Sequence, residues 1–249
     1  VAMIGTSMCW GFVSPTVDAR HQLITMPHVY RGADRSYVFG GAITAGAAVT
    51  WFREAFCQAE VAEAARTGED AHALIERRAV DVPPGADGLV FLPYLMGERS
   101  PIWDAQAKGA FLGLSLAHSR AHLYRAVLEG VSFALQHNIE AGRRSGQPLD
   151  DRLIVVGGAA HSDLWMQIVA DVTGYRVFTI EEEVEAALGA AMLAALGAGL
   201  VDAATAERGW VTLVERARPE PAAQAVYQER FEIYTSLYPA LRDAMHRLG

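Results

Sequence analysis

The stretch Arg152–Ala170, RLIVVGGAAHSDLWMQIVA, decides how the chain is read. Residues 153–156, Leu-Ile-Val-Val, form a short β-branched run ended by glycine, the pattern of a buried strand. Gly157-Gly158-Ala159-Ala160 breaks that strand. Ser162 is a good N-cap, and Leu164, Trp165, Ile168 and Val169 follow at helical spacing. The reading is strand, glycine turn, helix. A turn without bulky side chains lets a flat ligand approach the backbone. A helix N-terminus adds free N–H groups and partial positive charge, which suits a nucleotide. A tight turn between packed elements, with no ligand, explains the same residues equally well.

Outward from this stretch, composition bounds the answer. The chain has 249 residues, 51% of them hydrophobic, and a formal net charge of −8. That length supports one large domain or two small ones. The acidic balance argues against nucleic acid as a partner, because phosphate backbones call for clustered Lys and Arg. The two cysteines, Cys9 and Cys57, define no disulfide framework and no CxxC metal site, which fits a reducing cytoplasm. No apolar run has membrane-spanning length, and no signal peptide is recognisable. The chain opens at Val1 inside a strand-like run, as a piece of a longer protein or a processed chain would.

Residues 1–40 read as β-rich. Residues 1–4 and 10–17 form a hairpin about Gly5-Thr6-Ser7, and strands follow near 23–26 and 36–39. Gly5-Thr6-Ser7 offers flexible backbone and two hydroxyls, the makings of either a phosphate contact or an ordinary polar turn. A helix is expected over 42–56, with Ile43, Ala47, Trp51 and Ala55 as its apolar face and small residues in its first turns. Residues 58–86 are charged and loop-prone, helical over 70–80, and show nothing catalytic. A strand is expected over 88–92. A loop over 93–108 follows, whose Glu98, Arg99 and Asp104 are read as closing it through ion pairs.

Further on, residues 109–114 read as a strand and 119–144 as a long helix. His118 and His122 stand i, i+4, but no third metal ligand stands at a recognisable spacing, so they read as a surface pair. A strand over 176–180 precedes the acidic run Glu181, Glu182, Glu183 and Glu185. The acids suit the N-terminus of a helix over 186–200 whose small residues are expected to pack on the sheet. A final amphipathic helix covers 221–247.

These motifs resemble the C-terminal lobe of the FGGY carbohydrate kinases. Gly113-Leu114, His122-Leu123 and Ala126-Val127-Leu128-Glu129 fit that family's second signature at fixed offsets. The segment from Gly157 to Ser162, with Trp165-Met166-Gln167 behind it, resembles the adenosine motif. Gly5-Thr6-Ser7 resembles the second phosphate motif, and 185–191 the helix that follows. The resemblance implies an α/β fold: an actin-like, RNase H-like ATPase lobe with a mixed sheet flanked by helices, spanning 1–249. It implies ATP and Mg²⁺ as cofactors and a sugar or polyol substrate, with a pentulose favoured. By position, Thr6 would touch polyphosphate beside Gly5 and Ser7. Gly46 and Thr50 would lie near the nucleotide, and Gly157, Gly158, Ala159 and Ser162 would line adenosine. The family's general base is an aspartate upstream of the Gly-Thr-Ser element. The resemblance therefore places both the base and the opposite wall of the cleft in an N-terminal lobe that this chain is expected to lack. A cytoplasmic protein without nucleic-acid or membrane partners is expected, with a homodimer left open. A non-catalytic nucleotide-binding or regulatory module on the same fold is the alternative. A Rossmann dehydrogenase is a poor fit, since no GxGxxG follows a strand.

Overall fold

The computed structural model describes residues 1–17, 22–30, 32, 34–147, 149–181 and 185–248. The first four strands, β1 (Ala2–Ile4), β2 (Met8–Ser14), β3 (Ile24–Pro27) and β4 (Ser36–Ala42), are joined by antiparallel pairings. In the tight hairpin Ala2 faces Trp10 and Ile4 faces Met8, so Gly5-Thr6-Ser7 forms its tip. Strand β5 (Val90–Leu92) pairs with β6 (Ala110–Leu112) in a separate two-stranded sheet. The central stretch supplies β7 (Arg152–Val156), which lies parallel to β1 and to β8 (Arg176–Ile180). Strand β9 (Leu213–Ala217), which periodicity did not reveal, closes the far edge antiparallel to β8. The sheet order is β3-β4-β2-β1-β7-β8-β9. This mixed sheet with flanking helices is the expected architecture.

The helices are α1 (Gly46–Phe56), α2 (Gln58–Thr67), α3 (Ala71–Ala79), α4 (Arg120–Arg143), α5 (Asp163–Thr173), α6 (Glu185–Gly197), α7 (Ala203–Gly209) and α8 (Pro221–Arg247). Helix α4 runs through the middle of the core, with Val127, Leu128, Val131 and Leu135 all buried. It packs against α5, α3, β4 and β5. Its Glu129 is 1% exposed and accepts from the Arg125 Nε–H at 2.8 Å, the Tyr227 hydroxyl at 2.8 Å and the Gly85 N–H at 3.0 Å. A buried carboxylate is tolerable only when it is paired and hydrogen-bonded in this way. The network fastens α8 and the 85–88 turn to the central helix.

Four expectations are corrected. Helix α1 begins at Gly46 rather than residue 42, because residues up to Ala42 continue β4 in register with β2. Its buried face is Ala48, Val49 and Phe52, while Ala47 and Trp51 are half-buried and Ala55 is exposed. Trp51 at a step of four misled the pattern. Its ring stacks on Phe91 at 6.3 Å, yet one edge remains open. Residues 58–67, read as loop, form α2, which the Gly68 left-handed cap ends. Helix α6 does not pack its small face on the sheet. Most of it is exposed, and Ala195, at 8%, is its buried residue among those described. A segment this uniformly apolar carries no directional signal about which face will be covered. Glu182 and Glu183 lie outside the described residues.

His118 and His122 have local structural partners. The His122 Nδ1 accepts from the Ser119 N–H at 3.1 Å at the start of α4, and its Nε2 lies 3.1 Å from Asp87. Among the described residues no group of three or more His, Cys, Asp or Glu is arranged to hold a metal ion, and none of the helices is long and apolar enough to cross a membrane.

Candidate nucleotide site

Parallel pairing of β1 and β7, with Ala2 opposite Val155 and Met3 opposite Val156, brings the two glycine turns side by side. The contact is intimate. A Cβ on Gly157 would stand 2.7 Å from the Ile4 carbonyl oxygen, and Gly157 has φ +92°, a backbone state that L side chains rarely adopt. Helix α1 arrives on the other side. Its entry donates from Gly46 N to Gly5 O at 2.8 Å, and from Ala45 N and Ala47 N to Thr6 O at 3.0 Å each. A Cβ on Gly46 would meet Gly5 O at 2.6 Å. Gly46 and Gly157 are thus explained by backbone packing alone.

Gly158 differs. A Cβ there would meet nothing within 4 Å, and its φ lies outside the left-handed range. Among the described residues, no neighbour demands a glycine at that position. Its missing side chain leaves room at the wall of a cavity of about 850 Å³. Gly5, Thr6, Gly46, Thr50, Gly158, Ala159 and Ser162 line this cavity, so seven residues singled out in the sequence converge there. Ser7 and Gly157 do not line it. Ser7 sits exposed at the hairpin tip, and Gly157 borders a neighbouring hollow of about 500 Å³ on the β8–β9 side.

The loop over 93–108 holds the α1 entry in place. The Glu98 Oε1 accepts from the Ile43 N–H at 3.0 Å and the Arg99 N–H at 2.7 Å, and the Ser100 Oγ accepts from the Gly41 N–H at 2.6 Å. The Thr44 hydroxyl donates to the Pro93 carbonyl. Burial pushes the Glu98 carboxyl up to about 7, although the two backbone donors and the Arg99 charge pull against it. Asp104 accepts from the Tyr238 hydroxyl at 2.7 Å and pairs with His246 at 2.6 Å, tying the loop to α8. Glu98 and Asp104 therefore close the loop by exchanging two backbone hydrogen bonds, at 2.8 and 2.9 Å, while the side chains of Glu98, Arg99 and Asp104 reach backbone and α8 rather than pairing with one another.

Sequence reading missed one wall. Asp70, His72, Ala73 and Glu76, from the segment in which nothing catalytic was seen, line the cavity together with Trp51 of α1 and Tyr124 of α4. Asp70 caps α3 by accepting from the Ala73 N–H at 3.0 Å. His72 and Glu76, spaced i, i+4, then share a face. That spacing was the available signal. Burial lowers the His72 imidazole, and the Arg53 charge adds to this. Glu76 is raised by burial, against hydrogen bonds from Ser162 and Tyr124.

A mixed sheet with parallel strand ends, two glycine turns side by side and a nucleoside-sized cavity above them defines a lobe of the actin-like ATPase class. The C-terminal domain of the FGGY family of carbohydrate kinases matches residues 1–198, and the chain belongs to that family. It is 35% identical over 212 residues to the xylulose kinase of Bacillus subtilis, a match that covers 84% of this chain and 40% of that kinase. It is 32% identical over 243 residues to the gluconokinase of Bacillus licheniformis, covering 96% of this chain and 47% of that protein. The crystal structure of xylulose kinase from Rhodospirillum rubrum superposes with a TM-score of 0.84 at 32% identity, over 98% of this chain and 47% of that one. The chain thus spans less than half the length of these relatives.

Proposed function

We propose that residues 1–249 are the nucleotide-binding lobe of an ATP-dependent carbohydrate kinase, which transfers the γ-phosphoryl group to a hydroxyl of a sugar or polyol. One observation carries this reading. Gly158 has no structural need to be glycine, yet it opens a cavity that six other residues of the family-like motifs also line. Adenosine lies against Gly158 and Ala159, and the phosphates run toward Thr6 at the exposed hairpin tip. The backbone there approaches phosphate without a side chain in the way. Mg²⁺ would come with the nucleotide rather than on a dedicated set of protein ligands, and would supply charge neutralisation for the transferred phosphoryl group.

Phosphoryl transfer draws most of its acceleration from positioning and charge stabilisation across a cleft. This lobe supplies one wall: the turns that orient the polyphosphate. The proton of the attacking hydroxyl goes to a base supplied from outside residues 1–249, as does the opposite wall. A pentulose is the favoured substrate, in keeping with xylulose kinases among the relatives.

The test is a phosphorylation screen of the full-length protein against pentuloses, hexuloses, polyols and aldonates, alongside ADP calorimetry. Pentulose-dependent ADP release supports the reading. Nucleotide binding without turnover on any of these compounds would identify a non-catalytic module instead.

A further inference from the structure

The polar end of the cavity points to a residue that chooses the base. Ser162 lines the cavity on the expected adenosine side, and its hydroxyl oxygen is already engaged. Its oxygen accepts from the Trp165 N–H at 3.0 Å as the cap of α5. Glu76 has capacity left. It receives the Tyr124 hydroxyl at 3.4 Å, whereas a carboxylate offers about four acceptor positions. The carboxylates of Asp70 and Asp163 also act on it, and both raise its affinity for a proton. Val49, Ala73 and Trp165 give the same cavity apolar wall, and Asp70 and His72 of α3 line it as well.

We propose that Glu76 is the specificity-determining residue of the nucleotide pocket, its carboxyl oxygen accepting from the exocyclic amino group of adenine. The inference rests on the nucleotide reading above. Adenine presents a donor at C6, whereas hypoxanthine and guanine present a carbonyl oxygen there, which meets the Glu76 acceptor without a hydrogen between them. In a half-buried apolar pocket such an unpaired juxtaposition is penalised more than the matched bond is rewarded. The selection is that of the ionised carboxylate, since a protonated carboxyl has an O–H to offer the C6 oxygen.

The experiment is calorimetric titration of the purified protein with ADP, IDP and GDP, for wild type, Glu76→Gln and Glu76→Leu, with unfolding midpoints measured in parallel. Wild type binds ADP about tenfold or more tightly than IDP or GDP. Glu76→Leu weakens ADP about tenfold and brings the ADP-to-IDP ratio close to one. Glu76→Gln, nearly isosteric, keeps ADP within a few-fold and narrows the ratio, because an amide can turn its N–H toward the C6 oxygen. Should the leucine variant fail to fold, the glutamine ratio decides. Equal affinity of wild type for ADP and IDP, or an unchanged ratio in Glu76→Gln, overturns this inference and leaves the nucleotide site standing. No binding of any nucleotide by folded wild-type protein overturns the site and this inference together.

Discussion

Replacing Gly158 separates a binding role from a packing role, because its neighbour provides the control. In Gly158→Val the new Cβ meets no protein atom within 4 Å, so the fold has nothing to lose by contact. The expected change in stability is within about 0.5 kcal/mol of wild type, as for open surface positions. The valine methyls project into space that the nucleotide is proposed to use. Losing close approach at one wall costs affinity on the order of 2 kcal/mol, or roughly thirtyfold in the ADP dissociation constant. Gly157→Ala behaves in the opposite way. Its φ of +92° disfavours any side chain, and its Cβ would sit 2.7 Å from the Ile4 carbonyl. A backbone state of that kind costs about 1–3 kcal/mol before the clash is counted. The assays are urea unfolding for both variants and ADP calorimetry on the folded protein. An intact Gly158→Val protein that binds ADP with wild-type affinity would refute the reasoning, since the open space would then have no nucleotide in it.

Other outcomes follow from the same structure. Glu129→Leu should cost about 3–5 kcal/mol, because it strands the Arg125 guanidinium in the core, whereas Glu129→Gln should cost less; denaturant midpoints distinguish them. His137, lowered to about 4 by burial with help from the Arg144 charge, takes up its proton near pH 6.5 when unfolded and only near about 4 when folded. Stability should therefore fall as pH drops through that window, by on the order of 3 kcal/mol in total, and His137→Gln should flatten the fall in pH-dependent unfolding. Residues 1–249 alone should release ADP in a sugar-dependent manner at least about 100-fold more slowly than the full-length protein. General-base catalysis by itself is typically worth roughly 10²–10⁴-fold. A rate within about tenfold would place a base inside this chain.

Much of the fold could be read from local pattern. The strand, turn and helix of the central stretch stand where β-branching, paired glycines and a serine cap put them. Long-range consequences were harder to see. Nothing local says that β1 and β7 lie parallel, which is what turns two ordinary glycine turns into neighbours. Gly46 and Gly158 look alike in sequence, and only their surroundings show that one seats a carbonyl and the other faces a cavity. The α3 wall was missed because a charged helix normally faces solvent, while here His72 and Glu76 are drawn inward against Arg53 and Tyr124. Helix α6 failed for the opposite reason, since apolar residues on every side predict burial without naming the partner.

The most direct test of the central claim is hydrogen–deuterium exchange of the purified protein with and without saturating ADP. The account predicts slowed exchange at the four segments that meet around the cavity: 5–7, 46–51, 70–76 and 157–165. Exchange should be unchanged at the hollow under Pro239, which Ile102, His137 and Thr235 also line. Protection confined to other segments, or none at saturating ADP, would contradict it.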